Sequence, residues 1–248
     1  MKTNINKIDI YYEKYGNKEQ NIIILPGWGE TRKTFDEIIK QLKNHYTIYI
    51  IDYPGFGNTK FPNQDLTIYD YAKIIKNFIK KNNISNPNII AHSFGARITI
   101  ILETVLKVKL NKIIIINGAG IKRKKTIKQT TYKILKKITY ILPKKIKKSI
   151  QKKLLNIFSS QDYKDLPQNM KKTFSNIVNE NLTPLIKNIK TDTLLIWGEK
   201  DTSTPLKDGI KMSKLIKNSG LIIIKNETHF LYLNMPHYIT KIVLEFIK

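Results

Sequence analysis

Short β-branched runs recur along the chain, with helically spaced stretches between several of them. Ile8–Tyr12, Ile22–Leu25, Thr47–Ile51, Asn88–Ala91, Lys112–Ile116, Thr193–Trp197 and Leu221–Ile224 read as strands. Between them, Phe35, Ile38, Ile39 and Leu42 share one helical face, and so do Tyr71, Ile74, Ile75, Phe78 and Ile79. Ile239, Ile242, Val243 and Phe246 form the stripe of a final helix. This alternation predicts an α/β fold, a mostly parallel, doubly wound sheet covered on both faces.

One stretch breaks the rhythm. From Ile121 to about Asn188 no strand pattern is convincing. Ile127, Thr131, Ile134, Leu135, Ile138, Ile141 and Leu142 fall at helical spacing, and Pro143 ends that helix. A second stripe follows at Ile146, Ile150, Leu154, Ile157 and Phe158. Residues 121–188 are therefore expected to be a helical insertion before the last strands, with 1–120 and 189–248 forming the core.

A chain of 248 residues can bury one sizeable core. No apolar run approaches the roughly 18 residues that a bilayer span requires. Met1 to Asp9 is polar and shows no secretory signal, so a cytoplasmic location is expected. The absence of cysteine excludes disulfides, thiolate metal sites and a cysteine nucleophile. A formal charge of +25 could point to nucleic acid, anionic lipid or an acidic partner. The charge is nearly all lysine, with arginine only at Arg32, Arg97 and Arg123, and no nucleic-acid-binding motif is present. Nucleic-acid readers favour the bidentate guanidinium, so a nucleic-acid partner is not expected. The abundance of Ile and Asn also suits an AT-rich coding sequence, which would load a solvated surface with lysine.

Candidate chemistry starts at Ala91-His92-Ser93-Phe94-Gly95, between a buried strand and the helical run Ala96 to Leu106. Strand, sharp turn and helix are the context of a nucleophile elbow, which needs small residues two before and two after the serine. A serine there could also be an ordinary helix cap. Serine needs a base, and four histidines compete. His92 is adjacent to Ser93, and neighbours in a tight elbow point apart. His45 precedes a strand, and His237 opens the last helix. His229 lies directly after Leu221–Ile224, at the carboxyl edge where open α/β sheets bind ligands. The imidazole in turn needs an acceptor. Asp201 follows Thr193–Trp197 at the same edge, although it could instead cap a helix. Glu199 is the alternative acid, and Asp192 lies at the wrong end.

Acyl transfer also requires donors aimed at an oxyanion, each worth about 3 kcal/mol in comparable enzymes. Pro26-Gly27-Trp28-Gly29 follows Ile22–Leu25, so the Trp28 amide is one candidate and the Phe94 amide the second; an ordinary turn with Trp28 filling the core is the alternative.

Together with Asp52-Tyr53-Pro54-Gly55-Phe56-Gly57, Trp197-Gly198-Glu199-Lys200-Asp201 and Thr228-His229-Phe230, these pieces resemble the α/β-hydrolase superfamily along nearly the whole chain. The resemblance departs at Pro26, where a histidine often stands, and at Ala91, usually glycine. It implies a triad of Ser93, Asp201 and His229, oxyanion amides at Trp28 and Phe94, a structural turn at Asp52, and a lid in residues 121–188. Neither metal nor organic cofactor is implied. Relatives that open epoxides or remove halides use an aspartate nucleophile, so Ser93 argues for hydrolysis of an ester, thioester or carbon–carbon bond, with acyl transfer also open. The Gly-Trp-Gly loop is similar to that of pimeloyl-carrier methyl ester esterases, which implies a small-molecule acyl ester substrate. A non-catalytic ligand- or partner-binding role is the competing reading.

The lid carries one further signal. Between Glu103 and Asp162 there is no acidic residue, against 17 Lys or Arg. Lys124, Lys128, Lys136 and Lys137 lie off the first stripe, and Lys144, Lys145, Lys147, Lys148, Lys152 and Lys153 surround the second. Three readings are open: solvated lysines above stripes that pack on the core, an anionic membrane surface that would place the protein at the membrane periphery, or an acidic acyl carrier protein.

Overall fold

The computed structural model describes residues 1–122, 127–141, 143–158, 163 and 166–248. Lys124 and Leu142 of the expected lid lie outside the described residues. So do the side chains of Ile127, Lys128, Lys144, Lys145, Lys152, Ile157 and Phe158.

Eight strands form one sheet: β1 Lys2–Ile5, β2 Ile8–Tyr15, β3 Asn21–Leu25, β4 Thr47–Ile51, β5 Asn88–His92, β6 Ile113–Ile116, β7 Thr193–Gly198 and β8 Ser219–Ile224. Their spatial order is β1-β2-β4-β3-β5-β6-β7-β8. The first two are antiparallel additions, and every pairing from β4 to β8 is parallel. Alternate residues of each strand feed two cores. Ile23, Leu25, Ala91, Ile113, Ile115 and Trp197 pack on one face, under helices α2 Ile68–Lys81, α3 Phe94–Thr104 and α8 Leu206–Leu215. Ile22, Ile24, Ile90, Ile114 and Ile196 pack on the other, under α1 Asp36–Leu42 and α10 Pro236–Ile247. Burial of each such isoleucine stabilises the fold by about 1.5–3 kcal/mol.

The expected strands are present with ends shifted by a few residues. β1 and helix α8 were not expected. β1 uses the polar N-terminal stretch as an edge strand, closed on β2 with Lys2 paired to Asp9 at 2.7 Å. Helix α8 carries Gly209 in its interior, which weakens its helical signal. A Cβ at Gly209 would stand 2.6 Å from the Trp197 ring, so glycine lets this helix close on β7.

Between β6 and β7 the described residues form helices and no strand: α4 Ile127–Ile138, α5 Lys144–Phe158, α6 Lys171–Asn179 and α7 Thr183–Ile186. The later part of this segment is tied to the core. Leu66 N donates to Thr173 Oγ1 at 3.0 Å, and Arg97 Nη1 to the Glu180 carbonyl at 3.2 Å. Within the segment, Lys122 N donates to Thr183 Oγ1 at 2.8 Å. The α4–α5 hairpin instead leaves Ile134, Ile138, Ile141 and Ile146 exposed.

Candidate active site

β5 runs into α3 with Ser93 alone between them, at φ 45° and ψ −104°. A non-glycine residue in that region stores about 1–3 kcal/mol of strain. The backbone holds it there: Ser93 N donates to the Ile116 carbonyl at 3.2 Å, and Ala119 N donates to the Ser93 carbonyl at 2.9 Å. Gly95 allows α3 to approach β3, because a Cβ there would stand 2.0 Å from the Leu25 carbonyl oxygen. Ala91 is fully buried and fits as alanine.

His229 occupies the turn between β8 and the short helix α9 Leu231–Asn234. Its Nδ1 lies 2.7 Å from Asp201 Oδ2, with the aspartate side chain wholly buried and the histidine side chain 14% exposed. The ring of His229 stands 4.7 Å from that of His92, the residue preceding Ser93. Asp201 Oδ1 accepts the amides of Ser203 and Thr204 at 2.7 and 2.9 Å, and Oδ2 accepts Thr204 Oγ1 at 2.7 Å. Burial works to raise this carboxyl. The donors from His229 and Thr204 outweigh it and hold the group below the usual carboxylate range. The aspartate thus closes a turn with one oxygen and orients His229 with the other; it caps no helix, since α8 begins at Leu206 after Pro205.

Two loops meet at Asn117, just past β6 and fully buried at φ 45°. Its Nδ2 donates to the carbonyls of Thr228 and His229 at 2.9 and 2.7 Å, and its Oδ1 accepts Gly198 N at 2.9 Å. One side chain therefore sets the spacing between the acid loop and the histidine loop.

Beside it lies a second histidine–carboxylate pair. His92 is fully buried, with Nδ1 2.7 Å from Glu30 Oε1 and Nε2 3.0 Å from the His229 carbonyl. Because a carbonyl oxygen only accepts, His92 Nε2 is the donor there. Glu30 Oε2 accepts Gly27 N at 2.7 Å and Tyr232 OH at 3.0 Å. Burial would raise the Glu30 carboxyl, but His92, Gly27 and Tyr232 together hold it low. Burial in turn pushes the Tyr232 hydroxyl up, with the Glu30 charge adding to it. Gly27 is required by this contact, since a Cβ would stand 2.3 Å from Glu30 Oε1.

Trp28 sits in the same loop, with rings of Phe94, Phe174 and Phe56 edge-on at 5.3, 5.2 and 4.8 Å. The loop after β3 and the start of α3 are thereby packed together, and α6 touches that loop where Phe174 meets Trp28.

The structure gathers Asp201 and His229 into contact and places Ser93, Trp28 and Phe94 at the same carboxyl edge. The other candidates are elsewhere. Glu199 Oε2 accepts Asn226 N at 3.0 Å, away from His229. His45 and His237 are exposed. Asp52 accepts Asn58 N at 2.9 Å and faces Arg32 at 3.5 Å, a turn-holding role. Sequence reasoning missed Glu30, Asn117 and Thr204. Asn117 left a signal, as a polar residue directly after four isoleucines at the carboxyl edge. Among the described residues no three His, Cys, Asp or Glu side chains are grouped to hold a metal ion. Nor is any helix there long and apolar enough to cross a membrane.

Comparison with known proteins agrees with this architecture. Residues 20–138 match the family model described as alpha/beta hydrolase fold. The chain is 27% identical to a pimeloyl-[acyl-carrier protein] methyl ester esterase of Wigglesworthia glossinidia brevipalpis, covering 96% of this chain and 97% of that one. It is 21% identical to a 2-hydroxy-6-oxononadienedioate/2-hydroxy-6-oxononatrienedioate hydrolase of Escherichia coli O81 (strain ED1a), covering 96% and 90%. An alpha/beta hydrolase enzyme from a Medee basin deep-sea metagenome library superposes with a TM-score of 0.78 at 21% identity, covering 99% and 96%. With a mostly parallel sheet, a strained serine elbow and these likenesses, the chain has the α/β-hydrolase fold.

Proposed function

We propose that the chain is a serine hydrolase that cleaves a carboxylic ester or thioester through an acyl-enzyme on Ser93. The observation that carries this reading is the 2.7 Å contact between His229 Nδ1 and a buried, ionised Asp201. That contact fixes the proton on Nδ1 and leaves Nε2 as the basic nitrogen. In this mechanism Nε2 removes the Ser93 proton as Oγ attacks the acyl carbon. The tetrahedral oxyanion takes hydrogen bonds from the Trp28 and Phe94 amides. His229 then protonates the departing alcohol or thiol, and water repeats the two steps on the acyl-enzyme. The helices between β6 and β7 act as a lid, with Phe174 meeting Trp28 above the oxyanion loop.

The two curated relatives bracket the chemistry, one being an ester hydrolase and the other named for cleaving an oxo-dienedioate. The ester reading is preferred because an oxygen leaving group takes its proton directly from His229, whereas a carbon leaving group needs a further site to receive its charge.

The test is fluorophosphonate labelling together with an ester panel of graded acyl length, on the native chain and on Ser93→Ala. Labelling and turnover by the native chain alone are expected. An unlabelled native chain would favour a ligand-binding role. Labelling with cleavage of a carbon–carbon substrate and of no ester would move the assignment to the second chemistry.

A further inference from the structure

Exposed large apolar side chains are mostly scattered over this protein, but six fall within thirteen residues: Ile134, Leu135, Ile138, Tyr140, Ile141 and Ile146. All belong to the α4–α5 hairpin or its turn. Ile134, Ile138 and Ile141 follow one another at intervals of four and three, hence on one side of the helix and its extension. Ile141 is 83% exposed. The apolar stripe that could have packed on the sheet domain instead faces water along this side.

The hairpin is internally braced. Gln151 Nε2 donates to the buried Thr139 Oγ1 at 2.7 Å, and Lys147 Nζ stands 3.7 Å over the Tyr140 ring. Lysines surround the stripe, and residues 104–161 contain no acidic side chain to neutralise them. Exposed apolar residues beside lysines, in a segment that carries no acidic residue, form the pattern of a helix that lies in a membrane interface.

We propose that the α4–α5 hairpin docks on an anionic lipid surface, with Ile134, Ile138, Ile141 and Ile146 entering the interface and Lys136, Lys137, Lys147 and Lys148 meeting the headgroups. The charge fits such a surface, since each lysine close to it strengthens binding roughly fivefold. Composition favours lipid over an acidic protein. Protein interfaces are enriched in Arg, Trp and Tyr and depleted in Lys, whereas residues 127–158 hold ten lysines, two tyrosines and no arginine or tryptophan. This docking is independent of the chemistry at Ser93.

Vesicle sedimentation tests it, using pure phosphatidylcholine and phosphatidylcholine mixed with phosphatidylserine. The native chain and Ser93→Ala are expected to bind only the mixed vesicles, and less so as salt rises. A variant with Lys136, Lys137 and Lys148 all changed to Glu should bind at least a hundredfold more weakly. Ile138→Ser with Ile141→Ser should also release the protein, with Tm and hydrolysis of a soluble ester unchanged in both variants. Equal binding to both vesicle types, binding to neither, or undiminished binding by the charge variant would overturn the proposal. Binding to an acidic carrier protein without binding to vesicles would overturn it in favour of a protein partner.

Discussion

Glu30 and His92 face each other across 2.7 Å inside the protein, and each holds a different loop of the candidate site. Glu30 also takes the Gly27 amide, which sets the turn that presents Trp28, while His92 donates to the carbonyl of His229. The pair thus ties the oxyanion candidate to the candidate base.

Removing the charge of Glu30 should loosen both loops. Breaking one partner of a buried pair costs about 3 kcal/mol, so Glu30→Gln should lower stability by roughly that amount in denaturant unfolding. Positional loss should appear mainly in kcat, with KM little changed. An unaltered kcat in a destabilised Glu30→Gln would show that the pair supports only the fold.

Acid should weaken the native protein through the same groups. Asp201 and Glu30 both have carboxyls held below their ordinary values. The unfolded chain therefore binds protons first, at about pH 4. The stability these groups confer is complete above that value and is lost as pH falls through their lower folded values. Unfolding free energies measured from pH 7 downward should fall in that window, and less steeply for Glu30→Gln. A flat native profile across it would contradict the assignment.

Asp201→Asn should preserve the turn, because an amide oxygen can still accept from Ser203 and Thr204. The amide nitrogen, however, would face His229 Nδ1 and favour the wrong tautomer. A loss of kcat of roughly ten-thousandfold is expected from the equivalent change in a serine protease, with little change in Tm. Activity within tenfold of native would remove Asp201 from the mechanism.

Asn117 offers a test in which backbone and side chain separate. Asn117→Gly keeps the positive φ and deletes the amide; Asn117→Ala deletes the amide and adds about 1 kcal/mol of left-handed strain. Each stranded buried partner costs about 1–3 kcal/mol. Both variants should be less stable than native and slower, with alanine the lower in Tm. If glycine matches the native kcat, the amide does not position His229.

Much of this is legible in the sequence alone. Ser93, Asp201 and His229 each follow their own apolar run, and a parallel sheet delivers the ends of such runs to one edge. Local pattern was enough to place those three at one edge. Glu30, Thr204 and the role of His92 were not legible, because their meaning lies in contacts between loops far apart in sequence, which periodicity does not encode. Helix α8 was hidden for a different reason: its glycine reads as a breaker until the Trp197 ring beside it is seen.

Strand β6 has a consequence of its own. Four consecutive isoleucines offer the same side chain to both faces, so oil-to-oil matching does not say how far along its neighbours this strand should lie. Polar residues at its ends must say it. Asn111 reaches Asn88 across the amino end at 2.9 Å, and Asn117 reaches Gly198 across the carboxyl end at 2.9 Å. Sliding by one position would carry Asn117 about 3.3 Å, out of reach of the His229 carbonyl. The amide that seats the histidine is therefore also the end-stop of the strand, and a sheet assembled out of step would have no working site.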